Sequence, residues 1–450
     1  HATEFTNFAY SLTLSISANE AEKRLPLVLE RVSNEHPNLG SRIAVSATNT
    51  NTKPELVFER RPCNGASIDG VVQTELATPF HVFRRGLARV VVVGNSDLDD
   101  RGRVGLVFVF SHAAFDGAVA AQIVFRCIKG LLNKDTTEEG GKEWTWTKFI
   151  GFILNLLGLY YFIFKSKPVL LKQTPVPSQD DTQSLFENLR QTNGIEEHAL
   201  HSQLTLCTTT SFNAQETSHI IQRAKTLKVS VTSLLCGAMG AAFAHPSLLP
   251  TSTLPESKRH KPQISLLAGL AVNGRPARHI PSTTDGAFNY ILLLPHVSIS
   301  QTSDLTTETD IQSLMIFQDL RTRLARNEPF HLARFLPVPS TVAAKWKDEG
   351  AQSVGFTPKM YQLAPVKAKT DTPVAYTLSN VGNFNQDFGD AVQDFRMVST
   401  MRTDINTRRV EVGVVTLDGR MTVTLSWLNG MVGDEQLSLL KERFLSGLMG

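Results

Sequence analysis

The chain has 450 residues, 42% hydrophobic and 19% charged, an ordinary globular composition too long for one core, so two domains are expected. A net charge of +3 with no run of Lys and Arg speaks against nucleic acid as a partner. The four cysteines, Cys63, Cys127, Cys207 and Cys236, stand far apart with no CxxC pair, which argues against a disulfide framework and a metal site and suits a reducing compartment.

In chain order, Phe8 to Ile16 alternates apolar and polar residues, the pattern of a half-buried strand. Ser17 and Glu20 form a capping-box pattern, and Leu25, Val28, Leu29 and Val32 follow at helical spacing until the turn at Glu35-His36-Pro37. A polar turn at 49–53 and a hairpin-like region lead to Ala88–Val93, a buried strand. A charged turn, 97–103, precedes Val104–Phe110, whose lack of alternation predicts burial on both faces. That strand delivers Ser111-His112-Ala113-Ala114-Phe115-Asp116-Gly117 to its end, and an apolar helix, 118–132, leaves it.

Residues 149–164 are almost continuously apolar but short of the ~20 that a spanning helix needs, so a buried helix or a lid is expected, with reversible membrane contact as the alternative. Residues 172–203 are polar and carry Pro175 and Pro177, a linker between a first domain over 1–185 and a second over 204–450. The second domain repeats the opening order: a strand at 204–210, a capping box at Asn213 and Glu216, a helical face at Ile220, Ile221, Ala224 and Leu227, then a small apolar helix, 233–244. Strands follow at 264–272 and 290–295, and an amphipathic helix at 311–325. Tyr376–Leu378 is a strand running into Ser379-Asn380-Val381-Gly382, and Asp387-Phe388-Gly389 comes next. Asp418-Gly419 between two apolar runs is a hairpin signal, and 435–448 is a closing helix.

The chemistry centres on His112, since an imidazole with pKa near ~6.5 can take a proton from a hydroxyl and return it. No G-x-S-x-G elbow occurs, which disfavours a hydrolase. His112 to Gly117 resembles the HxxxDG signature of the acyltransferase superfamily built on the chloramphenicol acetyltransferase fold, and Ser111 stands where peptide condensation domains carry a second histidine, which places the resemblance nearest the fungal alcohol O-acetyltransferases. Ser379-Asn380-Val381-Gly382 resembles the SNxG element of that branch, whereas Asp390 stands where plant-type relatives carry tryptophan in DFGWG.

The resemblance implies an α/β (α+β) fold of two chloramphenicol acetyltransferase-like domains, with mixed sheets flanked by helices and an active-site tunnel between them. It implies acyl transfer from acyl-CoA to an alcohol, with His112 as general base and Gly117 in the catalytic turn. The resemblance further implies that Arg275 pairs with Asp116 as a structural tie and that Ser379 or Asn380 donates to the oxyanion. Acetyl-CoA or another acyl-CoA is then a co-substrate, with no permanently bound cofactor and no metal. Alternatives are a catalytically silent scaffold of the same fold, or a condensation-type enzyme taking a carrier-bound donor. The expected setting is a monomer in the cytoplasm, with peripheral contact to an intracellular membrane as a variant. No signal peptide is evident from His1 onward.

Overall fold

A computed structural model describes residues 7–36, 39, 57–62, 67–78, 87–94, 98, 101–112, 115–133, 205–245, 248, 263–273, 290–293, 296–300, 304–325, 374–400, 410–429 and 432–450. The expectations for 138–203, including the apolar run and the linker, and for Arg275 lie outside them, as does Cys63.

Two sheets organise these residues. The first has the order β10-β1-β4-β3-β2, formed by β1 (Asn7–Leu14), β2 (Val57–Pro62), β3 (Ala88–Gly94), β4 (Val104–Ser111) and β10 (Val392–Ser399). The second runs β5-β12-β11-β9-β6-β7, with β8 also paired to β6. Its strands are β5 (Thr205–Phe212), β6 (Gln263–Asn273), β7 (Tyr290–Leu293), β8 (His296–Ser300), β9 (Val374–Phe384), β11 (Val410–Leu417) and β12 (Arg420–Leu428). The helices are α1 (Ala18–Glu35), α2 (Ile68–Ala77), α3 (Gly117–Leu131), α4 (Ala214–Thr226), α5 (Val231–Phe243), α6 (Leu305–Ala325) and α7 (Asp434–Met449).

The strand at β1 differs from expectation in being buried along all eight residues. Its alternation is real: Phe8, Tyr10, Leu12 and Leu14 join the apolar core with α1 and α3, while Ser11 and Thr13 face the other way. That second face is also covered, by α2 and by the Arg396 side chain of β10, so polarity here marks an internal polar layer and not solvent. The hairpin expected before Ala88 is instead a parallel crossover, β2 to β3 through α2. Ser67 starts α2 by accepting from the Gly70 amide at 3.2 Å, and the β-branched Val71, Val72 and Thr74 hide the helix from a propensity reading.

At α1, Ser17 accepts from the Glu20 amide as the capping pattern requires, and Glu20 turns its carboxylate to Arg24 one turn on. The box at Asn213 is complete in both directions. α6 buries Ile316 and Leu320 as an amphipathic helix should, but its inward face also carries Thr309, Gln312 and Ser313, while Ile311, Leu314 and Met315 are exposed. Close approach to α5 explains this: a Cβ on Gly237 would lie 2.7 Å from the Ser313 amide nitrogen, so only small side chains fit the crossing. Among the described residues no single helix is long and apolar enough to cross a membrane; α4 and α5 together reach that composition but are bent by 94°.

Alternation in the second sheet sorts residues by chemistry. Tyr376, Leu378, Val412, Val414, Val423 and Leu425 face α5 and α7 in an apolar core. Cys207, Thr209, Thr424, Ser426, Glu411, Thr377 and Ser379 occupy the alternate positions, with the cross-strand row Thr209–Thr424–Gly413–Ser379 in direct register. β10 and α2 lie across this polar side. Gly413 permits the crossing, because a Cβ there would meet the Met397 carbonyl oxygen at 2.7 Å.

Candidate active site

His112 leaves β4 in a turn closed by the Phe115 amide, which donates to the Ser111 carbonyl at 3.2 Å. The wholly buried strand fixes one side of this turn and the fully buried Phe115, edge-on to Phe110 at 5.3 Å, fixes the other. The imidazole is half-buried and packs edge-on against Phe8, with ring centres 5.2 Å apart.

Asp116 points elsewhere. It is fully buried and is the N-cap of α3, its Oδ1 accepting from the amides of Ala118 at 3.1 Å and Val119 at 3.0 Å. A carboxylate at this place satisfies amides that the helix cannot and lies favourably in its dipole. His112 and Asp116 therefore straddle a strand-to-helix turn and do not share a helical face. Gly117 opens α3; its carbonyl accepts from the Tyr10 hydroxyl at 2.7 Å, which pins the helix start to β1.

The turn meets the other sheet at this point. A Cβ on Gly117 would lie 3.4 Å from Cγ2 of Val381 and 3.6 Å from Sδ of Met397. Val381 belongs to β9, which continues through the Ser-Asn-Val-Gly element instead of ending before it. Asn380 pairs with Val414 and Asn383 with Thr416, so Val381 and Gly382 together oppose Val415 in a β-bulge. Gly382 has φ +124°, a conformation open to glycine and strained for other residues.

The strand's period of two separates Ser379 from Asn380. Asn380 faces the helices: its Nδ2 donates to Thr232 Oγ1 at 3.1 Å, and its Oδ1 accepts from the Gly382 amide at 3.2 Å. Ser379 is half-buried on the polar side, the side from which Val381 touches the start of α3. The structure thus brings Gly117, at the start of α3, against the β9 bulge, and it uses Asn380 to hold that bulge.

Several residues that the sequence did not single out hold this arrangement. Tyr10 read as one core residue among Phe8, Leu12 and Leu14, and only its hydroxyl hinted at a partner. The Asp418 carboxylate accepts from three consecutive amides, Gln386 at 2.7 Å, Asp387 at 3.0 Å and Phe388 at 2.9 Å, so the Asp387-Phe388-Gly389 loop is tied to the β11–β12 turn. Arg396 lies on a strand that the alternation did not announce. Burial pushes the Cys207 thiol up to about 11, offset in part by the nearby Arg396 guanidinium, and the fully buried Cys236 is pushed higher still, so neither is a poised nucleophile. No cluster of three His, Cys, Asp or Glu side chains able to hold a metal occurs among the described residues.

No protein-family model matches the chain, and no curated protein matches it by sequence. Solved structures do match it. The cyclization-docking bidomain of the nonribosomal peptide synthetase EpoB from Sorangium cellulosum has TM-score 0.56 at 11% identity, covering 100% of this chain and 80% of that one. The first condensation domain of the calcium-dependent antibiotic synthetase has TM-score 0.55 at 12% identity, with 98% and 90% covered. The SgcC5 protein from Streptomyces globisporus has TM-score 0.52 at 13% identity, with 98% and 91% covered. Identities this low speak for fold alone. With its two mixed sheets and flanking helices, the chain has the two-lobed, chloramphenicol acetyltransferase-like fold of condensation-type domains.

Proposed function

We propose that the protein is an acyltransferase that moves an acyl group from a thioester to a hydroxyl, with His112 as general base. The single observation that supports this best is the split at the motif. The imidazole is half-buried at the exit of a rigid strand, while Asp116, four residues on, is buried and caps α3 through its Oδ1. His112 takes the acceptor's proton as its oxygen attacks the thioester carbonyl; the C–S bond then breaks and the histidinium returns the proton to the departing thiolate, leaving an ester and a free thiol. Ser379, on the polar side of β9, is the candidate donor to the tetrahedral oxyanion, since the Asn380 amide already serves Thr232. Asp116 and Arg275 make the structural tie that keeps the motif turn in place. Acyl-CoA is the proposed donor and a small apolar or specialised-metabolite alcohol the acceptor, as in fungal alcohol O-acetyltransferases.

A second donor is supported by the condensation and cyclization domains among the similar structures: an acyl group carried on a carrier protein. Thiol release is the test, from acetyl-CoA and from an acyl-loaded carrier protein in parallel, each with a panel of primary alcohols. Release that depends on the alcohol and disappears in His112→Ala supports the proposal and names the donor. Release from neither donor leaves the scaffold reading in its place.

A further inference from the structure

A cavity of about 430 Å³ lies between the polar side of β1 and the edge strand β5, lined by Thr13, Asp69, Thr209, Ser211, Asp394 and Arg396. It is away from the motif: Ser11 lies four residues along β1 from Asn7, the partner of Ser111, or roughly 14 Å at strand rise. Arg396 holds its wall together. Its Nε donates to Ser11 Oγ at 2.8 Å, its Nη1 to Thr209 Oγ1 at 3.2 Å, and its Nη2 pairs with Asp69 at the start of α2. One guanidinium thus fixes two sheets and a helix around a volume in the range of small-molecule sites.

The β1–β10 ladder is interrupted here. Asp394 and Phe395 together oppose Leu12, a β-bulge, and Asp394 takes the left-handed conformation at φ 54°. Without the bulge Asp394 would continue the regular ladder; with it, the carboxylate is exposed beside Arg396 in the cavity lining. Left-handed non-glycine residues are sparse and concentrate at functional sites.

The lining selects a chemistry. Two carboxylates, one guanidinium and several hydroxyls present acceptors and donors side by side, set among apolar surface that includes Ile68 and Leu98, a mixture that suits a ring bearing hydroxyls on its edge and C–H groups on its faces. A fatty chain would displace water from the exposed Asp394 carboxylate and Ser211 hydroxyl and offer no hydrogen bond in return. A multiply charged anion would face Asp69 and Asp394 together. Vicinal hydroxyls satisfy both kinds of group, giving protons to carboxylates and accepting them from Arg396 and the threonines. We propose that this cavity is a binding site for a neutral polyhydroxylated small molecule of one to two sugar rings, with Asp394 and Arg396 as its principal contacts.

Isothermal titration calorimetry of the intact protein with maltose, myo-inositol, decanol and inorganic phosphate tests this. Saturable heat with maltose or myo-inositol is expected, undiminished when phosphate or decanol is present. Asp394→Asn, which keeps a residue tolerant of the left-handed conformation, should weaken polyol binding about tenfold, the loss of one charge-assisted hydrogen bond. Ser211→Ala, at an exposed strand position, gives a second readout that does not burden folding and should weaken it severalfold. Absence of saturable polyol binding, equal affinity in both variants, or displacement by phosphate would overturn the proposal.

Discussion

At the residue scale the motif divides into a group placed to react and a group placed to hold. His112 is braced by Phe8 but contributes little burial of its own, so His112→Ala should leave the melting temperature nearly unchanged. Transfer should fall by on the order of 10²- to 10⁴-fold, the usual contribution of a general base; single-turnover thiol release together with a thermal melt checks both halves. Asp116 should behave in the opposite way. Asp116→Ala removes two cap bonds at a buried helix start and should destabilise by about 1–2 kcal/mol, whereas Asp116→Asn, itself a good cap, should keep more of that stability. Equal melting temperatures for the two variants in denaturant titrations would show that the cap contributes nothing. In the proposed pair with Arg275, Asp116→Asn and Arg275→Met combined should lose much less than the sum of the two singles.

Elements carry the next level of specification, through close approaches that only particular side chains allow. The α5–α6 crossing runs over Gly237, where a Cβ would press on the Thr309 carbonyl oxygen and the Ser313 amide nitrogen, both at 2.7 Å. Backbone cannot step aside as a flexible side chain can, so Gly237→Ala should destabilise by about 1–3 kcal/mol, as overpacking in a core does. Urea unfolding midpoints for Gly237→Ala and for Gly70→Ala, whose Cβ would meet only Ser67 Oγ at 3.7 Å, make the comparison: the first should shift, the second little. This crossing also explains why α6 turns small polar residues inward, Ser313 returning its hydroxyl to the Thr309 carbonyl at 2.6 Å and Gln312 donating to Glu308 at 2.7 Å. Helical periodicity alone points its apolar stripe inward; Ile316 and Leu320 follow it, and the tight crossing overrides it at Thr309 and Ser313.

Across the whole molecule, two sheets share one internal polar layer, and β10 ties them by pairing with β1 while lying over β11 and β12. Cys207 sits in that layer, and its thiol is raised to about 11 chiefly by burial. A folded pKa raised above the unfolded value means that the folded state favours the neutral thiol. Its stabilising share is therefore full below the unfolded value of about 9 and is lost as pH rises toward about 11. Melting temperatures measured from pH 8 to 11 should fall less steeply for Cys207→Ser than for the wild type; parallel curves would deny the linkage.

The sequence by itself specifies the long buried strands, the helix caps and the tight turn at Asp418-Gly419, whose φ values of 48° and 77° fit the hairpin that the dipeptide announces. These features are local: a run without alternation, a capping residue before an amphipathic stretch and a turn dipeptide each act within a few residues. His112 stood out for the same reason, as a polar residue delivered by an apolar strand. The strand β10 did not stand out, because the bulge at Asp394 shifts its phase. Val392, Phe395 and Met397 fall on one face only when Leu12 is known to oppose two residues. Tertiary structure likewise decided that the polar side of β1 is covered by α2, that Asn380 turns to the helices while Ser379 does not, and that Arg396 reaches Ser11 and Thr209 from far along the chain. Each of these depends on a partner strand or helix distant in sequence, and no periodicity within a segment records which distant surface will cover it.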